Sequence, residues 1–254
     1  MAALNKFSLF GFTISRNKDE EGNSTAPSFS PPNNDDGALT ITSAAYYGTY
    51  VDLDGTAKNE VELISRYREM AMQPEIESAI DDIVNEAICQ DENGNSIKIV
   101  LDRLKQPEKI KKAIKDEFDT VLKLLNYNNM AQDIFRRYYV DGRLYYHIII
   151  DRESPVGGIK ELRYIDPRKI RKVREISKKR IKAGSNAGEA SITKIVNEYF
   201  IFNDKGFNYG NKVVGPTTTG LKIAKDSVLH IVSGLTDNQG TMVLSYLHKA
   251  IKAL

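Results

Sequence analysis

The chain has 254 residues, 41% hydrophobic and 28% charged, ordinary proportions for a globular protein large enough to bury a core. Its 36 basic and 34 acidic side chains leave a formal net charge of +2, so any demand for nucleic acid must be local. No uncharged apolar run approaches the roughly 18 residues that spanning a membrane takes, and the single cysteine, Cys89, excludes an intrachain disulfide and points to a reducing compartment.

The N-terminus carries an apolar patch of Phe7, Leu9, Phe10, Phe12 and Ile14. The acidic trio Asp19, Glu20 and Glu21 follows it without a cleavage pattern, which excludes a secretion signal. From Gly22 to Gly37 the chain reads GNSTAPSFSPPNNDDG, a composition that forms turns and buries little apolar area. Residues 1–55 are therefore expected to be an extended, flexible arm. Its apolar patch is too small to fold alone, so docking on a partner is weighed against a plain tail.

Thr56 is the expected N-cap of a first helix, with Val61, Ile64, Tyr67 and Ala71 on one side and Pro74 beyond its end. A second amphipathic helix follows, Ile76, Ile80, Ile83 and Ala87 repeating at helical spacing and Cys89 assigned to its apolar side. Its adjacent carboxylates Asp81 and Asp82 point about 100° apart on a helix and cannot share one reacting atom. Ile97 to Leu101 reads as a strand. Pro107 opens a third helix with a stripe of Ile110, Ile114, Phe118, Val121, Leu122 and Leu125. Met130 to Val140 reads as a fourth, ended by Gly142.

RLYYHIIID is apolar on both faces, the pattern of a central strand covered on two sides. Further strands are expected over residues 159–165, 170–176, 192–202, 206–214 and 221–231. Asp166-Pro167 enforces a turn, after which Ile170, Val173 and Ile176 recur every third residue. That spacing predicts a twisted or bulged strand. A last helix is expected from about residue 240 to the end, bearing Leu244, Leu247 and Ile251 and no terminal cap, as though the helix were cut. The fold class is α+β with a mostly antiparallel sheet over residues 56–239.

The chemistry is sparse. His147, His230 and His248 sit in two apolar strands and the last helix, with no second ligand at metal spacing, so each reads as structural and no metal or cofactor is expected. GPTTTG at residues 215–220 lacks the Gly-Lys-Ser/Thr of a phosphate loop, and no nucleophile elbow occurs. The most charged segment contains Arg168, Lys169, Arg171, Lys172, Arg174, Lys178, Lys179, Arg180 and Lys182 against the single acid Glu175. A solvated hairpin is one reading of it, and a contact to DNA or an acidic partner is the other. With Tyr138, Tyr139, Tyr145 and Tyr146 as stacking groups, the same segment supports a stand-alone nucleic-acid-binding module.

ELISRYREM at residues 62–70, DIVNEAI at 82–88, FRRYYVDGRLYYHIIID at 135–151, GIKELRYIDPRKIRKVREI at 158–176, EYFIFN at 198–203, VLHIVSGL at 228–235 and YLHKAIK at 246–252 come in an order and spacing that resembles the portal vertex protein of contractile-tailed phages of the T-even type. The pairing of YVDGR with ELRYIDPR is the most distinctive part. The resemblance implies a structural, non-enzymatic subunit of a twelve-fold ring at one capsid vertex of the virion, assembled in the host cytoplasm. It implies the major capsid protein, the terminase large subunit, neck proteins and double-stranded DNA as partners, with roles in head assembly, packaging and ejection. In that family the region resembles the wing, preceded by an arm and entering the stem at residues 240–254.

Overall fold

The computed structural model describes residues 6–9, 12–15, 35–42, 53–92, 94–151, 153, 157–182, 189–207, 220–237 and 242–252. The elements follow as β1 (Lys6–Leu9), β2 (Phe12–Ser15), β3 (Leu39–Thr42), α1 (Leu53–Met70), α2 (Pro74–Ala87), α3 (Glu108–Leu124), α4 (Tyr127–Asp141), β4 (Arg143–Ile150), β5 (Ile159–Ile165), β6 (Ile170–Lys182), β7 (Glu189–Phe202), β8 (Leu221–Ala224) and β9 (Val228–Val232). β1 and β2 pair with each other. The body carries a sheet of order β3-β6-β7-β8 and another of order β5-β4-β9. All pairings are antiparallel except β3 with β6, so the fold is α+β as expected.

The helices form where apolar residues recur at helical spacing. Pro74 begins α2, where its missing N–H costs nothing, and Ile80 and Val84 point inward. One core cluster joins the helices through Tyr67, Ala71, Ile80, Val84, Val140 and Leu247. A second lies between the sheets, where Tyr145, Ile170, Phe200 and Val228 meet. β4 takes the central place in its sheet, and Leu144, Tyr145 and Tyr146 are all buried. In β6, Ile170, Val173 and Ile176 are buried although alternation puts neighbours three apart on opposite faces, so both faces of the strand are covered. The register slip opposite Glu175 and Ile176 is carried by the extra residue Val196 of β7 rather than by the spacing in β6.

Gly142 ends α4 at φ 71°, and its N–H donates to the Tyr138 carbonyl at 2.9 Å. A Cβ there would lie 2.6 Å from the Leu244 carbonyl oxygen. Gly142→Ala is expected to cost about 2 kcal/mol or more, from the left-handed backbone and a clash with main chain that cannot swing aside. Urea unfolding of the variant beside the parent measures it, and an unchanged midpoint would refute it.

Five expectations need correction. α1 begins at Leu53, so Thr56 lies inside its first turn and is not the N-cap. α2 ends at Ala87, and Cys89 is exposed beyond it, its thiol donating to the Asn85 and Glu86 carbonyls. Residues 97–101 form no strand, since no neighbouring strand pairs with their alternation, and Ile97 and Val100 stay exposed. The run 221–231 is broken by a 3-10 turn at Lys225–Ser227, where the chain leaves one sheet as β8 and enters the other as β9. Val243 bridges to Thr236, so the last helical turn starts only at Tyr246 and is a 3-10 turn to Lys252. Of the strand expected over 206–214, residues 208–214 lie outside the described residues, as do residues 16–34 of the arm.

Candidate functional site

The charged residues of the distinctive blocks fold onto one another in three ion-pair networks. Arg68 of α1 clamps Asp141 at the end of α4 with two hydrogen bonds, Nε to Oδ1 at 2.9 Å and Nη2 to Oδ2 at 2.8 Å. Its Nη1 donates to Asp166 in the β5–β6 turn at 3.0 Å, and Arg168 grips the same carboxylate from the side chain and from its backbone N–H, each at 2.9 Å. Burial pushes the Asp166 carboxyl up, but the bonds from Arg168 and Arg68 outweigh it and hold the group well below the usual carboxylate range.

In the second network Glu60 of α1, 3% exposed, faces Arg143 of β4 at 3.3 Å and Arg171 of β6. The two arginines are 1% and 5% exposed, so the triad buries one more positive than negative charge. Arg143 also donates from Nη2 to the Val243 carbonyl. Burial lowers the Arg143 pKa, but the Glu60 carboxylate more than restores it, whereas Arg171, carrying burial and the like charge of Arg143, stays below its ordinary value. One carboxylate thus joins helix α1 to strands of both sheets.

The third network fastens β3 to the body. Asp36 accepts from Lys172 and Arg174 at 2.6 Å each, and Glu198 of β7 accepts from Arg174 at 2.6 Å and Lys225 at 2.7 Å. Burial opposes ionisation of Asp36, but the hydrogen bond from Lys172 and the neighbouring charges keep its pKa lowered. His230 sits nearby, stacked on Tyr145 at 4.4 Å between ring centroids and meeting Phe200 edge-on. Burial, then the charges of Lys172 and Arg143, push its pKa down to about 3.

The basic segment is therefore divided. Arg168, Arg171, Lys172 and Arg174 are committed to internal pairs, and Lys169 reaches Asp204 at 3.3 Å. A solvated hairpin does not describe residues 171–174, because Arg171 and Arg174 are buried in the strand alongside Ile170 and Val173. Lys178 is exposed, while Lys179, Arg180 and Lys182 occupy β6 positions whose side chains are outside the described residues. Tyr145 and Tyr146 are buried and cannot stack on bases, and Tyr139 is stacked on Tyr246 at 5.3 Å. In the arm, β1 and β2 pair Phe7 with Ile14 and Leu9 with Phe12, and Phe10 lies outside the described residues.

Sequence reasoning missed Glu60, Asp36 and Glu198 as partners of the basic run. Bases interleaved with buried β-branched residues in one strand were the available signal, since such a strand must find carboxylates for its inward charges. His147 is half-buried in β4, His230 stacks on Tyr145, and His248 shares a hydrogen bond with the Tyr67 hydroxyl at 2.8 Å. No group of three potential metal ligands occurs among the described residues, and no described helix is long and apolar enough to cross a membrane.

The charged motif residues brace helices α1 and α4 and strands of both sheets against one another. A sequence model of the family described as Bacteriophage T4-like portal protein (Gp20) matches residues 60–254, and the chain belongs to that family. It is similar to the portal protein of Vibrio phage KVP40 (isolate Vibrio parahaemolyticus/Japan/Matsuzaki/1991), 32% identical over 236 residues, covering 89% of this chain and 44% of the relative. It is similar also to the portal protein of Salmonella phage ViI, 30% identical over 230 residues, covering 86% and 40%. The chain thus spans less than half the length of these curated relatives.

Proposed function

We infer that the chain is the wing-bearing part of a portal subunit, one of twelve copies in a ring at a single capsid vertex through which double-stranded DNA enters and leaves. The observation that carries this reading is the family match over residues 60–254, where the distinctive blocks resolve into one braced body. Residues 56–239, with β3 at the edge of their sheet, form the wing and residues 240–254 lead toward a stem. The N-terminal arm, with Phe7, Leu9, Phe10, Phe12 and Ile14, docks on the surrounding shell. The major capsid protein, neck proteins and the terminase large subunit are the partners of the assembled ring. Its role is structural, as nucleus of the head and platform for motor and tail.

Electron microscopy of particles from the source phage tests the reading. Density for this chain in a twelve-fold ring on the axis of one vertex is the expected result. An off-axis position or a monomer would overturn it.

A further inference from the structure

β6 and β7 outrun the sheet they belong to. β3 pairs with β6 only as far as Ile176, and β8 pairs with β7 only from Tyr199, so, among the described residues, 177–182 and 189–194 form a ribbon of two strands paired with each other alone. Six rungs at strand rise make it about 20 Å long. The ribbon carries Lys178, Lys179, Arg180, Lys182 and Lys194 against one acid, Glu189. Only Lys182 has an acid opposite in register, and Lys178 and Lys194 are exposed. Strand alternation places positions 178, 180 and 182 on one face, about 13 Å from end to end.

α2 is the opposite case. It has five acids and no base. Glu77 and Asp81 face Arg136 of α4, at 3.5 and 2.7 Å. Glu75, Asp82 and Glu86 make no ion pair among the described residues and are exposed. Their spacing of seven and then four residues sets all three on a single line about 16 Å long, on the side away from the buried Ile80 and Val84. Asp82 and Glu86 repel each other at i, i+4, and Glu86 lies in the last turn, where the helix dipole disfavours a negative charge. A helix that keeps such a row at its own expense is suited to a counter-charge from outside.

We propose that the basic ribbon of one copy docks along the Glu75, Asp82 and Glu86 row of α2 on the next copy. The partner is a second copy of this chain. Two different surfaces with opposite charge and matched length are what a head-to-tail contact needs to close a ring. This rests on the ring reading above and identifies the surfaces that the ring uses.

The test uses the intact subunit, with ring formation followed by native mass spectrometry over a series of protein and salt concentrations. Parent protein that forms no ring at any salt overturns the ring reading itself. Given rings, K178E/K179E/R180E/K182E and E75K/D82K/E86K should each need at least about tenfold more protein to assemble, because like charges then meet across the contact. A chain carrying both sets should assemble within about threefold of the parent, its charges again complementary. Circular dichroism of each variant checks folding. Should a reversal unfold the chain, the neutral pair K178Q/R180Q and E75Q/E86Q serves instead, and flattened salt dependence of assembly is then expected. Unchanged assembly in both single-set variants, or no recovery in the combined chain, overturns the docking. Intact rings that lose affinity for a short DNA duplex only when the ribbon is reversed also overturn it, and assign the ribbon to DNA.

Discussion

Glu60→Gln is expected to lower the unfolding free energy by about 3–5 kcal/mol, the usual cost of removing one partner from a buried ion pair. The substitution keeps size and an acceptor oxygen, so the loss reports charge and not volume. It leaves Arg143 and Arg171 facing each other, 1% and 5% exposed, with no carboxylate between them. Neither guanidinium can discharge its proton at any ordinary pH, so the interior must hold two like charges or open to water. Urea unfolding gives the number. Glu60→Leu combined with Arg143→Met and Arg171→Met is expected to recover most of the loss, since an apolar triad of similar volume carries no desolvation cost. A loss below about 1 kcal/mol for Glu60→Gln would show that water already serves the arginines.

Acidification should destabilise the body in two separate windows. Folded His230 stays neutral down to about pH 3, while the unfolded residue takes a proton near its ordinary value. Between those values the unfolded chain holds the extra proton, so falling pH favours unfolding. The contribution is fully present above about pH 6.5, and about 2–3 kcal/mol of it is lost by pH 4.5. Burial of the ring sets most of this, with Lys172 and Arg143 opposing its protonation further and Asp36 favouring it. Asp36, Asp166 and Glu198 act lower down. Their folded pKa values are depressed, so their stabilisation is present above the ordinary carboxylate range and is lost as pH falls below it. Thermal unfolding of the parent and of His230→Gln from pH 7 to about 2.5 separates the two. The variant should lose the slope between pH 6.5 and 4.5 and keep the fall below it, and an unaltered upper slope would count against the assignment.

Elements whose cause is local were legible in the sequence. Pro74, Pro107 and Gly142 mark boundaries of α2, α3 and α4 through fixed backbone chemistry. What required the third dimension was the destination of charge. Arg174 meets Asp36 across 138 residues, and Arg68 meets Asp166 across 98. A run of bases looks the same along the chain whether its carboxylates are near or nowhere. The strand expected at 97–101 failed for the complementary reason, because alternation describes a strand's faces and says nothing about whether a neighbour offers hydrogen bonds. The break at Lys225–Ser227 was invisible since Leu221 to Ile231 reads as one β-rich stretch, and only the two sheets decide where it must divide.

β3 has a mechanical consequence. It lies parallel to β6 at the sheet's edge, with Asp36 bonded to Lys172 and Arg174 just ahead of it. A pull on the N-terminus runs along this short ladder and is shared by its rungs and both ion pairs at once, rather than peeling them one by one. The anchor point is therefore Asp36.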